Sequence, residues 1–156
     1  MSSVTLAKRI SDDLSARGTP ARAVAEKAYL KSDLKHLGVS VPQIRAIVRA
    51  AVKAEPVLSR TGLIEAVEAL WKRRVHESRM AAMELLSAKR ELLVADDLVT
   101  LEQLIRKAKT WALIDPLSTI VAGDLVERFP NSPARSVQTL GSSIWFRSRP
   151  PRMHSR

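Results

Sequence analysis

The segment PQIRAIVRAAVKAEP, residues 42–56, decides the fold class. Ile44, Ile47, Val48 and Ala51 recur at helical spacing and make one apolar stripe, while Arg45, Arg49 and Lys53 fall on other sides of the same cylinder. Pro42 suits a first helical turn, where a missing N–H costs nothing, and Pro56 cannot continue the helix. The same punctuation extends in both directions. Upstream, Leu6, Ile10 and Leu14 followed by Gly18 predict a helix over roughly 4–17. Thr19-Pro20 predicts an N-cap and a second helix running to about Leu30, and Leu34, Leu37 and Gly38 mark the turn after it. Downstream, Thr61 is expected to cap a fourth helix that buries Ile64, Val67, Leu70 and Trp71. A fifth is expected from His76 to Lys89 with Met80, Met83 and Leu86 inward, and Asp97 should cap a sixth carrying Leu98, Leu101, Leu104 and Ile105. Asp115-Pro116 is expected to start a seventh, with Leu117, Ile120, Val121 and Leu125 inward, and residues 131–133 a short eighth.

Eight short helices on tight turns, without a convincing strand, predict an all-α domain over residues 1–144. Helices of this length stack more naturally as pairs in a solenoid than as a four-helix bundle. Composition agrees: aromatics are 4% of the 156 residues and Gly only five, which disfavours a sandwich or barrel. There is no Cys, so disulfide scaffolds, thiolate zinc sites and thiol catalysis are excluded. No apolar run approaches membrane-spanning length and the first residues carry regular charge, so a cytoplasmic protein with no membrane partner is expected.

The net charge is +10. Residues 145–156 hold four Arg and no acid, leaving 22 basic and 16 acidic groups in residues 1–144. Even the folded part therefore favours a polyanion, through phosphate neutralisation and counterion release. The tail SRPPRMHSR, with two prolines and no apolar spacing, cannot extend a helix.

Motifs for chemistry are few. His76-Glu77 has Met80 where a zinc-protease helix needs a second His, and the three His at 36, 76 and 154 are dispersed, so no metal site is expected. No phosphate-cradling Gly loop or nucleophile elbow exists. In TWALIDP, Trp111 and Asp115 share one side of a turn, and Pro116 is expected to fix Asp115 at a helix start, beside the positive end of a helix dipole. An ordinary N-cap and a core Trp explain the same residues. A carboxylate beside an aromatic wall could also stabilise a developing cation. Tyr29, near the end of the second helix, reads first as core packing. Arg45 and Arg49, one turn apart, and the cluster of Arg73, Arg74 and Arg79 are either solvated faces or phosphate contacts.

Four segments together resemble the AlkD-like family of DNA alkylation-repair glycosylases, which are right-handed solenoids of HEAT-like antiparallel helix pairs. They are AYLKSDLKHLGVSVPQIRAIV (28–48), LWKRRVHESRMAAMELL (70–86), TWALIDPLSTIVAGDLV (110–126) and SSIWFR (142–147). The resemblance implies excision of cationic N3- or N7-alkylated purines from double-stranded DNA, without base flipping and without a cofactor. Carried over by position, Asp115 matches the catalytic carboxylate, and Trp111 and Tyr29 the walls of the lesioned nucleotide. Arg147 resembles the first Arg of a Trp-x-Arg-Arg helix on the DNA backbone, although Ser148 stands where the second Arg is usual. Arg45, Arg49, Arg74 and Arg79 are further candidate backbone contacts. The family continues for several more helices beyond the position of Arg147, so a truncated chain is expected, its last repeat uncapped and prone to self-association. The alternative expectation is a catalytically silent helical-repeat module that binds nucleic acid or protein, or a pure scaffold with no salt-dependent DNA binding.

Overall fold

The computed structural model describes residues 3–108, 110–117 and 121–131. Among them the chain is all-α. The helices are α1 (Ser3–Arg17), α2 (Pro20–Leu30), α3 (Val41–Lys53), α4 (Arg60–Lys72), α5 (His76–Ala88), α6 (Leu98–Lys107), α7 (Trp111–Pro116) and α8 (Ala122–Arg128). Single 3-10 turns occupy Arg90–Leu92 and Ala95–Asp97. None of these helices is long and apolar enough to cross a membrane. Ile120, Arg147, the eighth helix expected from residues 131–133 and the basic tail lie outside the described residues.

Two compact units divide between Leu93 and Val94. In the first, α4 packs on α5, α1 on α4, and α3 on α5 and α1. Their core takes Leu6, Ile10 and Leu14 from α1, Ile44, Ile47, Val48 and Ala51 from α3, and Leu63, Ala66, Val67, Leu70 and Trp71 from α4. Burying one such aliphatic side chain is worth about 1.5–3 kcal/mol, which is what selects this packing over isolated helices. In α4 Val67, Leu70 and Trp71 are buried as expected, but Leu63 is buried and Ile64 only half-buried. The helix starts earlier than Thr61 because Ser59 caps it, accepting from Gly62 N at 3.0 Å. Ser40 likewise caps α3 in a reciprocal box with Gln43, which sequence reading did not single out.

α5 is the central helix. Ten of its thirteen residues are buried, so it needs apolar or paired side chains all round rather than the single Met80, Met83 and Leu86 stripe expected. Its polar members are therefore tied down. Glu77, 0% exposed, accepts from Gly38 N at 2.8 Å and Leu37 N at 2.9 Å. Gly38 has φ +81, and a Cβ there would lie 2.0 Å from Thr19 O, so only glycine fits this crossing.

α2 differs from its neighbours in having no buried residue. Polar links hold it. Thr19 does not cap it through its side chain; both its N–H and its Oγ1 donate to Gly38 O at 3.2 Å. Lys27 Nζ donates to Leu34 O at 2.9 Å. The loop after α2 is pinned to the turn before α5 by Lys35 N to Arg74 O (3.0 Å) and His76 N to Lys35 O (2.9 Å).

In the second unit α6 buries Leu98, Leu101, Leu104 and Ile105 as the sequence pattern requires. Asp97 does not cap that helix by its side chain; its carboxylate takes Val94 N at 2.8 Å and closes the preceding 3-10 turn. The helix expected to start at Asp115 instead starts at Trp111 and includes Asp115.

Candidate functional site

α7 is anchored on one side by Leu113 and Ile114, both fully buried. Trp111 and Asp115, four residues apart, share the opposite side; Trp111 is half-buried and Asp115 exposed. Helical spacing puts Trp111 and Asp115 on one side as TWALIDP suggests, but the local setting is different. Asp115 is the fifth residue of a six-residue helix whose cap position is Thr110, so it sits near the C-terminal end. The help expected from the positive end of a helix dipole is absent. What recommends Asp115 is accessibility beside an aromatic ring.

In the first unit Tyr29 is 66% exposed, which overturns its reading as a core residue. Arg45 and Arg49 are exposed on α3, and Arg45 pairs with Glu84 at 3.1 Å. Arg74 is exposed, with Asp33 at 3.4 Å. It lines an open cleft of about 520 Å³ together with Lys27, Asp33, Lys35, His36, Ala23 and Val24. Three cations against one acid give this cleft a net positive charge. Arg79 does not belong with them. It is 9% exposed, with its guanidinium 5.1 Å from the Trp71 ring centroid, and burial followed by nearby Arg74 lowers its pKa. A buried cation over an indole face is a packing element of α4 and α5, not a surface contact for phosphate.

The expectation that the histidines are dispersed fails for two of them. His36, in the loop after α2, and His76, the first residue of α5, stack with ring centroids 4.5 Å apart and planes 8° from parallel. Glu26 of α2 completes the group: its Oε1 lies 3.3 Å from His76 Nε2 and 3.6 Å from His36 Nδ1. His36 is 8% and His76 3% exposed, and His36 Nδ1, His36 Nε2 and His76 Nδ1 have no hydrogen-bond partner. Each such buried polar atom costs about 1–3 kcal/mol. Burial, then His36 beside it, pushes His76 down to about 4 against the pull of Glu77. Burial and then Glu77 raise the Glu26 carboxyl, opposed by Arg22 and His36. Sequence spacing hid this group, because its members are ten and forty positions apart; only the pinned loop brings them together.

The family model described as DNA alkylation repair enzyme matches residues 10–147. Among curated proteins none matches the chain.

Proposed function

The chain belongs to the DNA alkylation repair enzyme family, and on that premise we propose that it is a DNA N-glycosylase acting on cationic N3- or N7-alkylated purines in double-stranded DNA. The observation that carries the proposal is exposed Asp115 on the same side of α7 as half-buried Trp111, inside the matched region. An alkylated purine of this kind already bears positive charge. When its glycosidic bond breaks, the bonding electrons go to the base, which leaves neutral and needs no general acid. The cost that remains is oxocarbenium character on the deoxyribose. A carboxylate at Asp115 stabilises that charge electrostatically and orients the water that adds to the sugar, the division of labour seen when carboxylates cleave glycosides. Trp111 supplies flat apolar surface for the nucleotide, and the lesion stays in the stack rather than being flipped; Tyr29, exposed in the first unit, is proposed by position alone as a further aromatic contact to DNA. Arg45, Arg49, Arg74 and Arg147 are the proposed backbone contacts.

The second reading, a silent DNA-binding module, draws on the same basic cleft, so binding alone does not separate the two. Asp115→Asn does. Asp115 is exposed and α7 is held by Leu113 and Ile114, so the substitution leaves folding within about 0.5 kcal/mol. Base release from N-methylated duplex DNA is expected to fall about 10²–10³-fold, the usual worth of one preorganised electrostatic group. Release unchanged in the variant refutes the mechanism. No release by the native chain, with salt-dependent duplex binding kept, favours the silent module.

A further inference from the structure

We propose that Glu26, His36 and His76 form a binding site for a single zinc ion that clips α2 to the body of the first unit. The ligand set is right in kind: two imidazoles and one carboxylate suit zinc far better than magnesium or calcium. It is also right in spacing. Metal–ligand bonds of about 2.0–2.2 Å in a tetrahedron put ligand atoms about 3.3–3.6 Å apart. The two edges that meet at Glu26 Oε1 measure 3.3 Å to His76 Nε2 and 3.6 Å to His36 Nδ1. The three ligand atoms all lie within 4.8 Å of one another, so closing the third edge takes a turn of one imidazole about its last side-chain torsion, which is a soft one. The rings now stack nearly parallel, 8° apart, so one of them must tilt for both in-plane lone pairs to meet at one ion.

Two further observations point to a ligand. Both histidines are more than nine-tenths buried, and three of their four ring nitrogens make no hydrogen bond. The other Glu26 oxygen is held by Arg22 at 3.5 Å, the outer contact that fixes a carboxylate ligand's orientation. Glu77, which adds negative charge beside the group, has both oxygens committed to backbone N–H groups and does not compete as a ligand.

The consequence lies in α2. This helix buries no residue of its own and carries exposed Tyr29, so its position rests on a few polar links. One ion joining Glu26 on α2, His36 in the following loop and His76 at the start of α5 would fix three elements at once, with a fourth coordination position left for water.

The test uses the full chain stripped by a chelator, with no DNA present, so its outcome is independent of the glycosylase proposal. Zinc is titrated against a chromophoric competitor at pH 7.5, cobalt is followed by its visible absorption, and hydrogen exchange is measured over residues 20–30. One zinc per chain, a tetrahedral cobalt spectrum and slowed exchange in α2 on adding zinc are expected. Glu26→Gln, a half-exposed position that the fold tolerates, should weaken binding by at least about tenfold, and His36→Ala should abolish it. His154→Ala should leave it unchanged. No stoichiometric binding, or binding unaffected by Glu26→Gln, or binding lost in His154→Ala overturns the proposal; if His36→Ala fails to fold, Glu26→Gln decides alone.

Discussion

Glu77→Gln tests how the first unit is held together where α2, the crossing glycine and α5 meet. Both carboxylate oxygens of Glu77 accept backbone N–H groups, from Gly38 at 2.8 Å and Leu37 at 2.9 Å, at a site with 0% exposure. Glutamine keeps one acceptor and turns an NH₂ toward the other N–H. One buried donor is then orphaned at about 1–3 kcal/mol, and the surviving bond loses its charge assistance at about 1 kcal/mol. Against this, the variant no longer buries a charge and relieves the repulsion that raises the Glu26 pKa. The net expectation is a loss of about 2–3 kcal/mol. With a urea dependence of about 2 kcal/mol per molar, the unfolding midpoint should drop by about 1–1.5 M in far-ultraviolet circular dichroism. Glu84→Gln is the control, since it removes only a surface pair with Arg45 and should cost about 0–1 kcal/mol. A Glu77→Gln midpoint equal to or above that of the native chain would show that desolvation outweighs both bonds, and that this carboxylate does not anchor the loop.

In chelator, the metal-free protein should lose stability as pH falls from 7 to 5. Folded His76 titrates at about 4 against 6.5 unfolded, so the unfolded chain takes up the proton first; the contribution is complete above 6.5 and lost toward 4, about 3 kcal/mol in all. Glu26, raised by burial, acts with the opposite sign, stabilising on acidification; with His36 and Glu77 facing the same ring, the check is that His76→Gln flattens the native pH dependence of the urea midpoint. Arg74→Ala should reduce the slope of log affinity for duplex DNA against log salt by about 1 while leaving the unfolding midpoint alone. Arg79→Ala should do the reverse, costing about 1–2 kcal/mol with an unchanged slope, because its partner is the Trp71 ring; a lowered slope in Arg79→Ala would return it to the DNA contacts.

Helix existence was legible because it is written in local repeats. The Ile44, Ile47, Val48, Ala51 stripe and the prolines that flank it are complete within one segment, and α3 forms where that pattern places it. In α5 Met80, Met83 and Leu86 are buried as expected together with seven further residues, and in α4 Val67, Leu70 and Trp71 face the core while Leu63 does so in place of Ile64. Residue type alone suggests Thr61 and Asp97 as caps, but cap geometry depends on which hydroxyl or carboxylate the chain brings within reach of a free N–H; Ser59 reaches Gly62 N, and the Asp97 carboxylate reaches Val94 N instead of its own helix.

Asp115 shows how a residue's local setting can differ from the one its chain neighbours suggest. An Asp before Pro suggests a helix start, yet buried Leu113 and Ile114 give helix-forming packing to the residues ahead of it, and tertiary burial overrides the proline signal. The carboxylate consequently loses the dipole but keeps Trp111 one turn away, so any rate advantage at Asp115 must come from its own charge. That makes Asp115→Asn a cleaner experiment than a capping aspartate would allow, since the substitution removes charge without removing a cap. The histidine pair is the opposite case. Nothing local marks His36 or His76, because their meeting depends on a left-handed Lys31, a glycine at 38 and a backbone bridge from Lys35 to the turn before α5. Function encoded in contacts of that range is invisible to spacing rules and appears only once the loop is closed.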